Sequence, residues 1–454
     1  MRKGAVAVAV AFGCLPSLAA GGEPDLLFIA LDAVPFSTVE AVRHPPPGVE
    51  PLFETLAGPA RLVSSFPSTT SVAFGAILGR LGLEESPGYE ARFFDWDEGR
   101  KAGGGPISYF RIRFAWREFF DWNRKGALRN VLQSARPVRS SILELGRALD
   151  EFATSHDPAY FVYVAATDTT AHLLGPEGLR PVLVELDRLL AETRRRRAER
   201  PFVTILFSDH GIAGDGAPLV NVREQAADAL RQAGLEPGDR LQGGQGAVLT
   251  PYGLVSSFEI YVAPGRERDA AAAVTARGGV DLCAWRSGNG WTVTAETGEA
   301  TVERRGGGTT GRWRYLSSRG DPLALVPVTE RLADHDGWVS DAALFTATIR
   351  GRYPDPLRRL AQAFELVENP ASVVCSVAAG HMYGAKRTEA LARLAKGPLR
   401  WTHGALASDA SLGFLLSDAP GWSAPAAVRA SDSLVPFLRG REIEQEPRVA
   451  AREP

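Results

Sequence analysis

The sequence predicts an α/β fold, in which a mostly parallel central sheet has helices on both faces and carries an inserted α+β cap. Three short apolar runs, the acidic residue that follows each of them and the amphipathic stretches between them lead to this prediction. The chain has 454 residues, of which 45% are hydrophobic and 23% are charged, so it is long and apolar enough to bury a large core. Its formal net charge of -2 gives no reason to expect a nucleic-acid polymer as a partner.

The three apolar runs are predicted to form buried strands of one sheet. They are DLLFIAL at residues 25–31, AYFVYVAA at residues 159–166 and PFVTILF at residues 201–207. The helical patterns SILELGRALDEFA and RPVLVELDRLLAETR lie between them. Strands that alternate with such helices form parallel sheets, which bind ligands beyond the carboxyl ends of their strands. Because Asp32, Asp168 and Asp209 follow the three runs, we expect these acids to converge on one edge of the sheet.

Two regions interrupt this alternation. Residues 84–135 are rich in aromatic side chains, which we expect to pack a subsidiary core; a lid that faces the substrate is the alternative. Residues 216–395 are predicted to form an inserted cap-like region, with the strand SFEIYVAP, the helix ERDAAAAVTAR and β-hairpins around Gly-Asn-Gly. The run ASVVCSVAAG at residues 371–380 is predicted to return to the core. The core itself would comprise residues 24–215 and 396–454, the latter with the strand SLGFLLSDAP and a last helix near ASDSLVPFL.

The first 19 residues are predicted to be a signal peptide, which indicates a periplasmic or secreted protein. Two basic residues precede a short apolar run that ends in small residues before Ala20. Cys14 leaves a lipid anchor open as an alternative. No later segment predicts a membrane span. Cys283 and Cys375 could pair in an oxidising compartment or be two separate buried thiols, and we favour the second interpretation.

Histidines stand close to the acids at these strand ends. His172 follows Asp168 by four positions, and His210 follows Asp209 directly. His403 lies in a predicted loop, WTHGAL, shortly before a strand. The chain has seven histidines, and three of them occur in these contexts. Because zinc accepts both imidazole nitrogen and carboxylate oxygen, the pattern predicts a metal site at the sheet edge.

A row of hydroxyls precedes a small-residue helical stretch in the segment SSFPSTT. The candidates for a nucleophile are Thr70 and Thr69. A threonine hydroxyl is a poor nucleophile at neutral pH, but a bound metal lowers its pKa. Two metal ions about 4 Å apart can hold a phosphoryl group between an attacking and a leaving oxygen. We therefore expect two zinc ions, although this mixed ligand set also accepts Mn²⁺ or another divalent metal.

The motif order resembles that of the alkaline phosphatase superfamily, and within it the type I phosphodiesterase/nucleotide pyrophosphatase branch. Asp32 is followed by FPSTT, TDTTAH, SDHG and THG, and the resemblance covers residues 25–215 and 395–440. It implies an alkaline phosphatase-like fold. It also implies two sets of ligands: Asp168, His172 and His403 for one zinc ion, and Asp32, Asp209, His210 and the nucleophilic threonine for the other.

The resemblance implies hydrolysis of phosphodiester or pyrophosphate bonds in small molecules through a phospho-threonine intermediate. Counting from Pro67 favours Thr70 as the nucleophile, whereas the spacing to Gly79 favours Thr69. The segment at 71–74 lacks the asparagine with which the branch binds the phosphoryl oxygen, so a nucleotide substrate is not implied. Two alternatives stay open: a phospho-headgroup transferase of the same fold, and a catalytically inactive descendant that binds a ligand.

Overall fold

The structure is a computed structural model that describes residues 23–104, 114–123, 135–307 and 310–438. The predicted signal peptide at 1–19, including Cys14, lies outside the described residues. Within these ranges the strands are β1 (Asp25–Leu31), β2 (Ala57–Val63), β3 (Arg92–Asp95), β4 (Arg100–Gly103), β5 (Ala159–Val164), β6 (Phe202–Phe207), β7 (Val220–Asn221), β8 (Glu236–Gly238), β9 (Gly246–Leu249), β10 (Leu254–Val255), β11 (Ser257–Val262), β12 (Val280–Ser287), β13 (Gly290–Ala295), β14 (Gly298–Arg305), β15 (Arg312–Gly320), β16 (Val339–Ser340), β17 (Val373–Val377), β18 (His381–Gly384), β19 (Leu412–Ser417) and β20 (Ala427–Arg429).

Thirteen α-helices lie in the same described ranges. They are Phe36–Arg43, Thr70–Leu78, Ala115–Glu118, Pro137–Thr154, Ala166–Arg196, Arg223–Gln232, Glu267–Thr275, Val326–Leu332, Asp341–Thr348, Pro356–Gln362, Lys386–Lys396, Ser408–Ser411 and Val435–Leu438. Among the residues that the structure describes, no helix combines the length and the apolar composition that crossing a bilayer requires.

Six strands form the sheet that carries the candidate site, in the order β20, β2, β19, β6, β1, β5. β1 lies between β5 and β6 and pairs with both in parallel. β19 runs antiparallel to β6 and to β2, and β20 runs parallel to β2. Five of the six strands therefore point in the same direction. The prediction of a mostly parallel sheet is confirmed.

Both faces of this sheet are covered by helices, as predicted. Leu27 and Ile29 of β1 pack in one apolar cluster with the helices at 137–154 and 166–196. Phe28 packs on the opposite face, in a cluster with the helix at 70–78. All seven residues of β1 are buried. Burial on both faces explains why this strand is a continuous apolar run and does not alternate with polar residues.

The inserted region forms a second sheet of nine strands, in the order β16, β15, β14, β13, β12, β17, β11, β9, β8. The predicted strand in SFEIYVAP is β11, and the hairpins around Gly-Asn-Gly are β12, β13 and β14. The helix predicted in ERDAAAAVTAR spans Glu267–Thr275. Local alternation and turn residues specified the hairpins, because β12, β13 and β14 each pair with the next strand in the chain.

Two predictions about this region are wrong. The run at 371–380 was expected in the core, but its strand, β17, pairs antiparallel with β11 and β12 in the nine-stranded sheet. An apolar run does not reveal which sheet receives it. Cys283 and Cys375 were expected to be separate thiols, but they form a disulfide. The register of β12 and β17 sets them directly opposite each other, and that long-range pairing leaves no local signal in the sequence.

The aromatic residues at 84–135 that the structure describes do not form the predicted subsidiary core but pack against the two main sheets. Trp116 stacks on Phe74 at a ring-centroid distance of 4.8 Å and lies against the central sheet. Phe94 contacts Tyr261 of the nine-stranded sheet at 4.9 Å. This region therefore joins the two sheets.

Candidate metal centre

The three predicted acids meet at the edge formed by the carboxyl ends of β1, β5 and β6. Asp32 follows β1 directly, and Asp209 lies two positions after β6. Asp168 occupies the first turn of the helix at 166–196, which begins two residues after β5. His172 lies one turn further along that helix, on the same face, so its Nε2 is 3.2 Å from Asp168 Oδ1. Parallel strand order thus brings together residues that are up to 177 positions apart.

The backbone after β1 is fixed by the loop after β6. Ala33 has φ at 59°, which a residue with a side chain rarely adopts. The Asp209 Oδ1 atom accepts a hydrogen bond of 3.4 Å from its amide, and Ser208 Oγ accepts one of 3.0 Å from the amide of Val34. These bonds hold the strained residue and, with it, the position of the Asp32 carboxylate.

His403 reaches the same edge because β19 runs antiparallel to its neighbours, so the loop before it lies where their carboxyl ends lie. Ser68 joins this loop to the loop after β2. The Ser68 carbonyl accepts a hydrogen bond of 2.9 Å from His403 Nδ1, and the Ser68 hydroxyl donates one of 3.0 Å to the Ala405 carbonyl. Buried Arg359 donates to the carbonyls of Leu406 and Ser65 in the same two loops.

The two candidate threonines face different ways. Thr70 Oγ1 lies 3.4 Å from Asp32 Oδ1 and 3.5 Å from His210 Nε2, so it adjoins the acids and the histidines. Thr69 Oγ1 donates a hydrogen bond of 3.1 Å to the Tyr89 carbonyl, away from them. Thr70 is also the first residue of its helix, where first-turn amides stabilise an anion. The geometry therefore favours Thr70.

The six predicted ligand side chains form two adjacent groups, each with ligand atoms within 4.8 Å of one another. One comprises Asp168, His172 and His403, and the other comprises Asp32, Asp209 and His210. The rings of His210 and His403 stack at a centroid distance of 4.0 Å, so the two groups touch. Both groups have the membership that the sequence resemblance implied.

All three imidazoles present the same nitrogen to the centre. The Nδ1 atoms of His172, His210 and His403 donate to backbone carbonyls at distances of 2.9, 3.0 and 2.9 Å. Nδ1 therefore carries the proton of each neutral ring, and Nε2 turns its lone pair inward. Metal-bound histidines are oriented in this manner.

The arrangement is repulsive unless a cation lies within it. The buried oxygens Asp168 Oδ1 and Asp209 Oδ2 accept no hydrogen bond from any described residue. Each lies 3.2 Å from an imidazole Nε2, that of His172 and that of His210, so that lone pair faces lone pair unless a proton or a cation lies between them. Buried polar atoms normally have partners, and carboxylate oxygen with imidazole nitrogen is a donor set that zinc accepts. The residues therefore fit two divalent metal ions.

The pKa shifts of the metal-free chain agree with this fit. Burial raises the pKa of Asp32 well above its ordinary value, and the nearby Asp209 and Asp168 carboxylates add to the shift. Burial raises the pKa of Asp209 to about 8. For His403, burial lowers the pKa to about 4, and the pKa of His210 lies well below its ordinary value for the same reason. The protein alone does not supply the positive charge that would keep these carboxylates ionised.

The pKa values of Asp168 and His172 shift in the opposite directions to those of Asp209 and His210. Burial opposes the charge on Asp168, but the His172 and His403 imidazoles outweigh it and hold the pKa of the carboxyl below its usual range. Burial likewise opposes a charge on His172, and the Asp168 carboxylate outweighs it and raises the imidazole pKa. An ionised Asp168 beside a protonated His172 is therefore the favoured state of the metal-free group. A bound metal ion would displace the His172 proton.

Tyr163 contacts the candidate centre, although no pattern in the sequence predicted it there. It lies on β5, inside an apolar run, and its ring packs edge-on against Phe74 at a centroid distance of 5.4 Å. Its hydroxyl donates a hydrogen bond to Asp32 Oδ2. A tyrosine within a buried strand gives no sign of such a bond in the sequence.

Replacing Tyr163 with phenylalanine is expected to weaken metal binding at the Asp32 group by about 10- to 100-fold, because partners that orient a ligand contribute roughly that much. Competition with a chromophoric chelator measures the dissociation constant. Tyr160→Phe is the matched control, since the Tyr160 hydroxyl donates to Glu151 on the other face of the same strand. Equal metal affinity in the two variants would contradict the role of Tyr163.

A cavity of about 800 Å³ opens onto this centre. Beside its wall lies a pair of acids that the sequence did not indicate. Burial raises the pKa of Glu90, which lines the cavity, to about 7 and that of Glu259 on β11 to about 8, and the Glu90 carboxylate adds to the second shift. Both side chains are therefore protonated in the folded chain at mildly acidic pH.

Glu259→Gln is expected to stabilise the chain increasingly as the pH rises. The unfolded Glu259 ionises near pH 4.5, whereas the folded one keeps its proton up to about pH 8, so its cost to folding grows between these values. The free energy of unfolding gained by the variant should grow by on the order of 2–4 kcal/mol between pH 5 and pH 8. Urea denaturation of metal-free protein measures it, with exposed Glu236→Gln as the control. A gain that does not change with pH would contradict the shift.

Comparison with known proteins gives structural similarity without sequence similarity. No protein-family model matches the chain, and no curated protein sequence matches it. Solved structures that resemble it include murine ectonucleotide pyrophosphatase/phosphodiesterase 5, at 12% identity and a TM-score of 0.45, over 91% of this chain and 94% of that one. The human protein of that name gives the same values. Phosphonoacetate hydrolase from Sinorhizobium meliloti 1021, in complex with phosphonoformate, is 14% identical, with a TM-score of 0.49, over 90% of this chain and 94% of that one.

Proposed function

We propose that the chain is an exported phosphohydrolase of the alkaline phosphatase superfamily, which binds two zinc ions and cleaves phosphodiester or pyrophosphate bonds through a phospho-threonine at Thr70. One observation supports this proposal above all others. Three imidazoles turn Nε2 toward three carboxylates, and Thr70 Oγ1 lies 3.4 Å from one of them, Asp32 Oδ1.

The charges of the centre support two divalent ions in particular. Three ionised carboxylates and an ionised Thr70 hydroxyl carry four negative charges, which two dications match. Asp168, His172 and His403 would hold one ion, and Asp32, Asp209, His210 and Thr70 would hold the other. When bound, the ions would lower the pKa of the attacking hydroxyl and stabilise charge on the phosphoryl oxygens.

Thr70 would act as the nucleophile in two displacements. Its Oγ1 forms a bond to phosphorus while the bond from phosphorus to one ester oxygen breaks, and the released alcohol carries away the hydroxyl proton. Water then attacks the phosphorus of the phospho-threonine, which releases the remaining monoester and restores the hydroxyl. The helix that begins at Thr70 has no side-chain cap among the described residues, so its first-turn amides would be available to the phosphoryl oxygens.

A diester suits the site better than a monoester, because a diester carries one negative charge where a monoester carries two. Among the described residues that line the cavity, Arg117 is the one lysine or arginine. Its guanidinium lies over the Trp116 ring at 5.1 Å. A single cation at the wall offers limited compensation for a second charge.

Export is supported by the disulfide between Cys283 and Cys375, since such bonds persist in oxidising compartments. Mass spectrometry of the protein from periplasmic and culture fractions tests this part of the proposal. The expected product lacks residues 1–19 and is two mass units lighter than its reduced form. A full-length chain in the cytoplasmic fraction would contradict it.

The function is tested with 4-nitrophenyl phosphate, bis(4-nitrophenyl) phosphate and 4-nitrophenyl thymidine 5′-phosphate, before and after removal and return of zinc. We expect metal-dependent turnover with the diesters ahead of the monoester. Digestion after acid quenching should yield a phosphorylated peptide that contains Thr70. Transfer to glycerol in preference to water would identify a transferase, and binding of zinc without turnover of any ester would identify an inactive descendant.

A further inference from the structure

The cavity that opens onto the metal centre is large enough for a sizeable organic group. Thr70, Asp168, His172 and His403 form one end of it, and its volume is about 800 Å³. Cavities of roughly 300–1,000 Å³ hold drug-sized ligands. A phosphoryl group occupies only a small part of such a space, so the remainder determines which ester is preferred.

The walls beyond the metal centre are predominantly hydrocarbon and aromatic. Four parts of the chain contribute to them. The first supplies Phe114 and Trp116, the second Leu173, the third Tyr252, Leu254 and Val255, and the fourth Ala392 and Leu399. Transfer of an apolar group from water to such walls is favourable by about 25 cal/mol per Å² buried. An apolar group therefore gains affinity here.

Three polar side chains in these walls, those of Tyr89, Glu90 and Thr388, already make hydrogen bonds within the protein. Tyr89 donates its hydroxyl to the Ala363 carbonyl at 2.6 Å, and Thr388 donates to the Tyr252 carbonyl at 2.9 Å. Both carboxylate oxygens of Glu90 accept from the Gly253 amide, at 3.2 and 3.1 Å. A nucleobase or a ribose placed against them would lose its hydrogen bonds to water and find few replacements, which costs affinity.

We propose that the organic part of the substrate is an uncharged alkyl or aryl group, bound against the wall formed by Leu173, Leu254 and Leu399, and that the enzyme prefers such esters to nucleotides. This inference rests on the proposed function, because it assigns the organic group of the ester cleaved at the same centre. The apolar walls and the internal hydrogen bonds of the Tyr89 and Thr388 hydroxyls carry it.

The test compares 4-nitrophenyl methyl, butyl and octyl phosphodiesters with 4-nitrophenyl thymidine 5′-phosphate, on the zinc-loaded full chain. We expect kcat/KM to rise about two- to fourfold per methylene over the first few methylenes, as burial of each CH₂ predicts. The nucleotide ester should fall below the butyl ester. Isothermal titration of octylphosphonate and methylphosphonate, which contain no ester bond, should show the same order in their dissociation constants.

Two variants test the location of the group. Leu254→Ser, in the cavity wall, is expected to lower the octyl-to-methyl ratio of kcat/KM by roughly tenfold, since a hydroxyl replaces apolar contact. Leu316→Ser is the matched control, because Leu316 is 45% exposed on β15 and does not line the cavity. Its ratio should equal that of the unaltered chain.

The outcomes separate this inference from the function on which it rests. Hydrolysis of all the diesters with no dependence on chain length, or with the nucleotide ester ahead, would overturn the apolar substrate and leave the phosphohydrolase standing. Absence of hydrolysis of every ester would overturn both. An unchanged ratio in Leu254→Ser would overturn the location of the group.

Discussion

Thr70→Ala is expected to lower kcat for phosphodiester hydrolysis by at least about 10³-fold, the kind of loss that follows removal of a catalytic nucleophile. Thr70 Oγ1 lies 3.4 Å from Asp32 Oδ1 and 3.5 Å from His210 Nε2, and alanine leaves phosphorus with no attacking group at this position. Steady-state kinetics with bis(4-nitrophenyl) phosphate measures the loss. Zinc content determined in the same sample separates loss of the nucleophile from loss of metal.

Thr69→Ala is the matched control for this variant. The Thr69 hydroxyl donates to the Tyr89 carbonyl, so its removal should leave kcat within about tenfold of the unaltered enzyme and affect mainly stability, by roughly 1 kcal/mol. The reverse pattern, an active Thr70→Ala and an inactive Thr69→Ala, would show that Thr69 is the nucleophile. Thr70→Ser should keep measurable turnover, since it retains a hydroxyl.

His403→Ala is expected to reduce bound zinc from about two ions to about one per chain and to lower kcat/KM by more than about 100-fold, a loss at least as large as that for a group that merely orients a ligand. His403 is 6% exposed, and its Nε2 lies 3.6 Å from Asp168 Oδ1. Without it, the group formed with Asp168 and His172 keeps two ligands. Inductively coupled plasma mass spectrometry of undialysed protein gives the zinc content.

The control for this variant is His335→Ala. The side chain of His335 is 89% exposed and lies 3.4 Å from Asp336, away from both ligand groups. Zinc content and turnover should match those of the unaltered chain. Two zinc ions and full turnover in His403→Ala would exclude His403 as a ligand and remove the principal support for the proposed centre.

The sequence predicted the parts of the site that depend on one strand and the residue after it. Asp32, Asp168 and Asp209 follow three continuous apolar runs, and parallel pairing makes such strand ends converge. The spacing of four between Asp168 and His172 needs only one helical turn. These inferences succeed because each one uses local information together with a general rule about parallel sheets.

Other features depend on pairings that the sequence does not encode locally. Tyr163 reads as an ordinary core residue, and its bond to Asp32 exists only once β5 lies beside β1. The disulfide requires β17 to lie next to β12, although 92 positions separate its cysteines. Whether Thr69 or Thr70 faces the acids depends on a side-chain direction at the start of a helix, which spacing alone left open.

The place of β19 between β2 and β6 has a consequence for how the chain matures. This strand follows every other strand of its sheet except β20 in the chain, yet it fills the middle of the sheet. A nascent chain that ends before it has a gap between β2 and β6 and lacks the strand that follows the His403 loop. The candidate centre is therefore complete only after β19 has been synthesised and has inserted between β2 and β6.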